Sequence, residues 1–101
     1  WEDPKTIASG ISDPLTGYPE EGSLTLSLIR KSNGAAIAVS DESIRRAMHD
    51  LARKAGIFCE PTGATSLAAM RDLFERGTIG SKQTVICIVT GHGFKDFAAW
   101  A

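Results

Sequence analysis

Apolar runs alternate with amphipathic stretches along this chain, and the alternation predicts its elements. The first 23 residues are broken by Pro4, Gly10, Pro14, Gly17, Pro19 and Gly22 and read as loop, apart from "TIASGI", whose segment 6–9 fits a strand. Ser23 offers a cap, Leu24, Leu28 and Ile29 share a face, and "SNG" at 32–34 supplies a stop, so a helix is expected near 23–33. "AAIAV" at 35–39 is apolar throughout, as a strand covered on both faces would be. Ser40 then caps a helix over 41–55, with Asp41 and Glu42 opposing the positive end of its dipole. Ile44, Ala47, Met48, Leu51, Ala52 and Ala55 recur at helical spacing on one face, and Gly56 ends the element. A third helix near 63–76 is expected to turn Leu67, Met70, Leu73 and Phe74 inward and to stop at Gly77. "TVICIV" at 84–89 is β-branched and apolar, another buried strand. The tail "KDFAAWA" reads as one helical turn or as unstructured.

Strands alternating with helices predict an α/β class, here a small parallel-sheet unit flanked by helices, with strands at 6–9, 35–39 and 84–89. Two or three strands make a poor independent sheet. Residues 1–101 are therefore expected to form a partial domain, and the bare sheet edges to drive dimerisation or strand exchange into a homo-oligomer.

Composition narrows the function classes. The 101 residues carry a net charge of −1 with both signs interspersed, and no basic run is long enough to track a phosphate backbone, which argues against nucleic acid. The longest apolar run is about six residues against the roughly 20 needed to span a bilayer, so no membrane partner is expected. No signal-peptide pattern opens the chain, and a cytoplasmic location is the expectation. Two cysteines, Cys59 and Cys87, with no C-x-x-C or Cys/His cluster, predict free thiols and no metal site.

The chemistry concentrates at "VTGHGFKD", 89–96, where an apolar run ends in a hydroxyl and two glycines around a histidine. In parallel α/β sheets ligands bind beyond the carboxyl ends of the strands, and Thr90 stands at such an end. Gly91 and Gly93 lack the β-carbons that would hold a flat ligand away. A threonine hydroxyl donates or accepts, so it suits a neutral ring nitrogen. The competing reading is a tight glycine turn and nothing more. His92 between glycines reads as turn-shaping, His49 as solvated, and Lys95 and Asp96 as a pair locking the tail. Cys87 reads as core. Cys59 has no histidine partner apparent in sequence, so a nucleophilic role is the minority reading. The arginines of helix 41–55 read as its wet face.

The residues "VSDE" at 39–42, "GIFCEP" at 56–61 and "TGHGFKD" at 90–96 together resemble the carboxyl-terminal region of the threonine synthases. These are pyridoxal-phosphate enzymes of the tryptophan-synthase β type, and the resemblance covers roughly residues 5 to 97, about a quarter to a third of such an enzyme. It implies that the chain is the carboxyl-terminal part of the large domain. It also implies that the parent is a lyase acting on an amino-acid substrate, making threonine and phosphate from O-phosphohomoserine and water. The cofactor contacts it implies are Thr90 facing the pyridine nitrogen, Gly91 and Gly93 giving room, and Ala8 lying along the ring. Glu60 either orders the ring's surroundings or, the favoured reading, caps the following helix with Pro61 in its first turn. No lysine stands in the family's S-x-K setting, and neither the glycine-rich phosphate cradle nor the asparagine that meets the cofactor's phenolic oxygen is found. No catalytic residue is therefore assigned here, and the free chain is expected neither to retain pyridoxal phosphate nor to turn over substrate. The rival readings are a serine or threonine dehydratase, which commonly carries serine where Thr90 stands, and a non-catalytic α/β association module.

Overall fold

A computed structural model describes residues 4–101 as three helices, α1 (Pro19–Lys31), α2 (Asp41–Ala55) and α3 (Pro61–Glu75). Three short 3-10 turns, Ser9–Ile11, Gly93–Lys95 and Phe97–Trp100, complete the elements. Helix α2 matches its sequence signals residue for residue. The Ser40 hydroxyl accepts from the Ser43 amide, and Gly56 closes the helix in the left-handed region at φ 66°. Helix α3 starts at Pro61, earlier than the expected 63, because proline's fixed φ and missing donor suit the first helical position. Helix α1 likewise starts at Pro19 rather than Ser23, with Glu20 and Glu21 in its first turn.

The core forms where α2 meets α3. Ile44, Ala47 and Met48 of α2 share one buried cluster with Ala64 and Ala68 of α3, joined by Ala8 and Cys59. Burial of a side chain the size of Ile44 or Met48 contributes about 1.5–3 kcal/mol. The expected inward face of α3 needs correction. Its buried positions are Pro61 at the start and then the small residues Gly63, Ala64 and Ala68, whereas Leu67, Met70 and Leu73 are half-buried and Phe74 is exposed. Small residues let the helices approach closely, and the larger side chains are left on the flanks.

The predicted parallel sheet is absent: the described residues contain no strand ladder, and their sole β pairing is one antiparallel bridge, Cys59 to His92. The physical reason lies in pairing. An extended segment becomes a strand only when a neighbouring strand takes its amides and carbonyls, and among the described residues segments 35–39 and 84–89 have no such partner strand. Segment 6–9 runs directly into the first 3-10 turn. Its approach is tied by Asp41, which accepts from the Thr6 hydroxyl at 2.5 Å and the Ile7 amide at 3.2 Å. Ile86 and Ile88, predicted as sheet core, are 85% and 70% exposed.

Helix α1 also keeps Leu24, Leu26 and Leu28 exposed, beside a groove of about 770 Å³ lined by Leu15, Pro19, Leu26 and Ile29. The tail, by contrast, is fixed. Asp96 caps the turn Phe97–Trp100, the Trp100 indole donates to the Cys59 carbonyl at 3.2 Å, and Arg45 donates to the Ala99 carbonyl. No helix among the described residues is long and apolar enough to cross a membrane.

Candidate functional site

The Cys59–His92 bridge lays segment 58–60 against 91–93. The Glu60 amide donates to the Gly91 carbonyl and the Gly93 amide to the Phe58 carbonyl, both at 3.1 Å. This crossing decides what lies against the two glycines. A β-carbon on Gly91 would sit 1.7 Å from Glu60 Oε1, and one on Gly93 would sit 2.5 Å from the Phe58 ring. The space that the sequence reserved for a flat ligand is occupied here by the chain's own carboxylate and aromatic ring. Gly63 backs Gly91 from α3, since a β-carbon there would lie 3.1 Å from the Gly91 carbonyl oxygen.

Of the four residues singled out from sequence, Glu60 and Gly91 are brought into direct contact, and Thr90 follows them as the neighbour of Gly91. Thr90 is exposed at the end of the extended run. Ala8 is fully buried in the α2–α3 core, so the face expected to lie along a ring is covered in this chain. Glu60 occupies the cap position of α3 with Pro61 in the first turn, as the favoured reading has it, but its side chain makes no cap hydrogen bond. Its carboxylate, 8% exposed by residue, pairs instead with Lys95 at 3.5 Å. Lys95 therefore does not lock to Asp96. Sequence reading missed the parts taken by Phe58 and Lys95: the glycine spacing announces a close approach without naming Phe58, and no local signal marks the pairing of Lys95 with Glu60.

The remaining candidates take structural positions. His92 Nδ1 accepts from the Phe94 amide at 3.2 Å and so shapes the turn that follows. His49 is exposed and meets the Trp100 ring edge-on. Burial pushes the Cys59 thiol up from its ordinary range, which disfavours the thiolate a nucleophile requires. No group of residues able to hold a metal ion occurs among the described residues.

A protein-family model for the pyridoxal-phosphate dependent enzymes matches residues 1–91. The chain belongs to that family. Within it, the chain is 46% identical over 95 residues to the threonine synthase of Methanosarcina acetivorans, a match covering 94% of this chain and 23% of the relative. Against the threonine synthase of Methanocaldococcus jannaschii it is 44% identical over 96 residues, 95% of this chain and 23% of the relative. The Halalkalibacterium halodurans threonine synthase is 38% identical over 95 residues, 94% of this chain and 26% of the relative. The chain thus spans about a quarter of the length of these curated relatives and corresponds to their carboxyl-terminal part.

Of the ring contacts that the resemblance implies, Thr90 is exposed while Gly91, Gly93 and Ala8 are covered by the chain itself. Thr90 presents an exposed, neutral hydroxyl suited to an unprotonated pyridine nitrogen. The start of α3, where peptide amides would favour a phosphate, is preceded by the nearly buried Glu60 carboxylate, whose charge opposes an anion there. The start of α3 in this pyridoxal-phosphate enzyme segment therefore does not suit a phosphate.

Proposed function

We propose that the chain is the ring-nitrogen-contacting part of an enzyme that converts O-phosphohomoserine and water to threonine and phosphate. The observation that carries the reading is the exposed Thr90 hydroxyl standing beside a glycine clamped by Glu60. When bound, pyridoxal phosphate supplies an electron sink for charge developing on the substrate's carbon framework. Thr90 would donate its hydroxyl proton into a hydrogen bond to the pyridine nitrogen, which stays largely unprotonated because the hydroxyl brings no full charge. Glu60 is set back over Gly91, and the segment 91–93 is held rigid beneath it by two backbone hydrogen bonds. The free chain is inactive in this reading, because one hydroxyl hydrogen bond contributes roughly 0.5–1.5 kcal/mol against the ~8 kcal/mol of micromolar affinity. The parent works in the cytoplasm as a homo-oligomer, which supplies neighbours for the bare apolar segments described above.

In the full-length enzyme, Thr90→Val is expected to shift the absorbance of bound cofactor and lower phosphate release from O-phosphohomoserine, while Thr90→Ser remains near wild type. An unchanged spectrum and rate for Thr90→Val would show that the hydroxyl is not the ring-nitrogen partner. Release of ammonia from serine or threonine in place of phosphate release would assign the parent to the dehydratases. A cofactor band that survives dialysis of the isolated chain and is lost on substituting one of its own lysines, with phosphate release from O-phosphohomoserine, would refute its inactivity.

A further inference from the structure

Glu60 is the buried charged side chain of the described core, and Lys95 is the cation found against it. The pair joins two segments that already exchange backbone hydrogen bonds. Its geometry is directional. The Glu60 side chain lies across the α-carbon of Gly91, its amide holds the Gly91 carbonyl, and Gly63 packs against the Gly91 backbone. Gly91, the residue that follows Thr90, is therefore met by three groups, and one of the three depends on where the Glu60 carboxylate rests. Lys95 is 69% exposed by side chain, so it contributes little to the core, yet its ammonium sits 3.5 Å from Glu60 Oε1.

We propose that Lys95 is a positioning residue that holds the Glu60 carboxylate over Gly91 and thereby fixes the Thr90 hydroxyl. This rests on the ring-nitrogen reading of Thr90. Without the ammonium, a nearly buried carboxylate has no opposite charge beside it and turns toward water. The clamp on Gly91 then loosens, and the hydroxyl samples positions off the nitrogen. Lys95 acts through Glu60 throughout.

The test uses the full-length enzyme with Lys95→Met, which keeps much of the apolar stem, and Lys95→Arg, which restores the charge. In the cofactor-free protein, amide exchange across 89–93 is expected to quicken about fivefold in Lys95→Met and to return toward wild type in Lys95→Arg, as fits a partly exposed ion pair. In the loaded enzyme, kcat should fall by a similar factor with little change in KM, accompanied by a shift of the cofactor absorbance. Glu60→Gln, which also breaks the pair, is expected to reproduce the exchange change if Lys95→Met folds poorly. Unchanged exchange and an unchanged spectrum in Lys95→Met overturn the proposal if Thr90→Val still moves the spectrum. If Thr90→Val moves nothing either, the ring-nitrogen reading fails and the proposal with it. A lowered melting temperature with exchange and spectrum intact would reduce Lys95 to a surface tie and likewise overturn it.

Discussion

Ile44 on α2 is 2% exposed and Leu28 on α1 is 54% exposed, although both stand on apolar positions of neighbouring helices. The difference is supply. Helix α2 finds Ala64 and Ala68 across a close approach, and the tail covers its far end through Arg45 and Trp100. Helix α1 and the run 84–89 leave apolar side chains exposed, Leu24, Leu26 and Leu28 on the one and Ile86 and Ile88 on the other, although Val89 packs against the core. Apolar patterning thus reports that a face needs cover, and it is silent on whether the cover lies in the same hundred residues. The largest test of this contrast is a pair of substitutions. Met48→Ala should destabilise the chain by about 2–5 kcal/mol through lost burial and a cavity. Ile86→Ser should stay within about 0.5 kcal/mol, as at an ordinary surface site. Denaturant titrations of both variants check this, and equal losses would show that segment 84–89 is packed in solution.

A second pair sharpens the contrast at the level of the backbone. Gly93→Ala drives a methyl into the Phe58 ring and is expected to cost about 1–3 kcal/mol. Gly17, around which an added β-carbon meets nothing within 4 Å, should accept alanine with almost no change. Phe58→Leu in the Gly93→Ala background should recover part of the loss, because the clash is with a ring. Thermal melting of the three variants gives the answer.

The smallest effect is electrostatic. Arg71, at 2.6 Å, and then Lys54 hold the Asp50 carboxyl below its ordinary value of 3.8. A folded-state value below the unfolded one means that the stabilisation is present above 3.8 and disappears as pH falls through the folded value. Asp50→Asn should therefore melt below wild type near neutral pH, with the gap closing in acid. A gap that held constant down the acid range would assign the loss to packing instead of charge.

Legibility followed the same division. Helix α2 was readable because every signal that defines it is local: the Ser40 cap, the acidic first turn, the stripe and Gly56. The early starts of α1 and α3 are also written locally, in Pro19, which reads as loop punctuation, and in Pro61, which the favoured reading of Glu60 already sets in the first turn. The sheet was misread because the composition of 35–39 and 84–89 states a preference that only a neighbouring strand can fulfil. At the candidate site, the glycines flanking His92 announced a close approach. That Phe58 and Glu60 make it, and that Lys95 seeks Glu60 instead of Asp96, depends on a crossing between distant segments that no local spacing encodes.

That crossing also orders events in time. Glu60 and Lys95 are 35 residues apart, and Trp100 reaches Cys59 across 41, whereas the hydrogen bonds of α2 and α3 close over four. Helical turns relax in about 0.1–1 μs, while distant contacts must first overcome the entropy of closing a loop. Helices α2 and α3 are therefore expected to dock before segment 91–100 arrives, with the far-ultraviolet signal leading Trp100 fluorescence in a refolding record of a Trp1→Phe variant. Coincident signals would mean that the tail belongs to the nucleus. On the expected order, the Thr90 hydroxyl is the last part of the site to find its place, and the binding surface matures only after the scaffold has stopped moving.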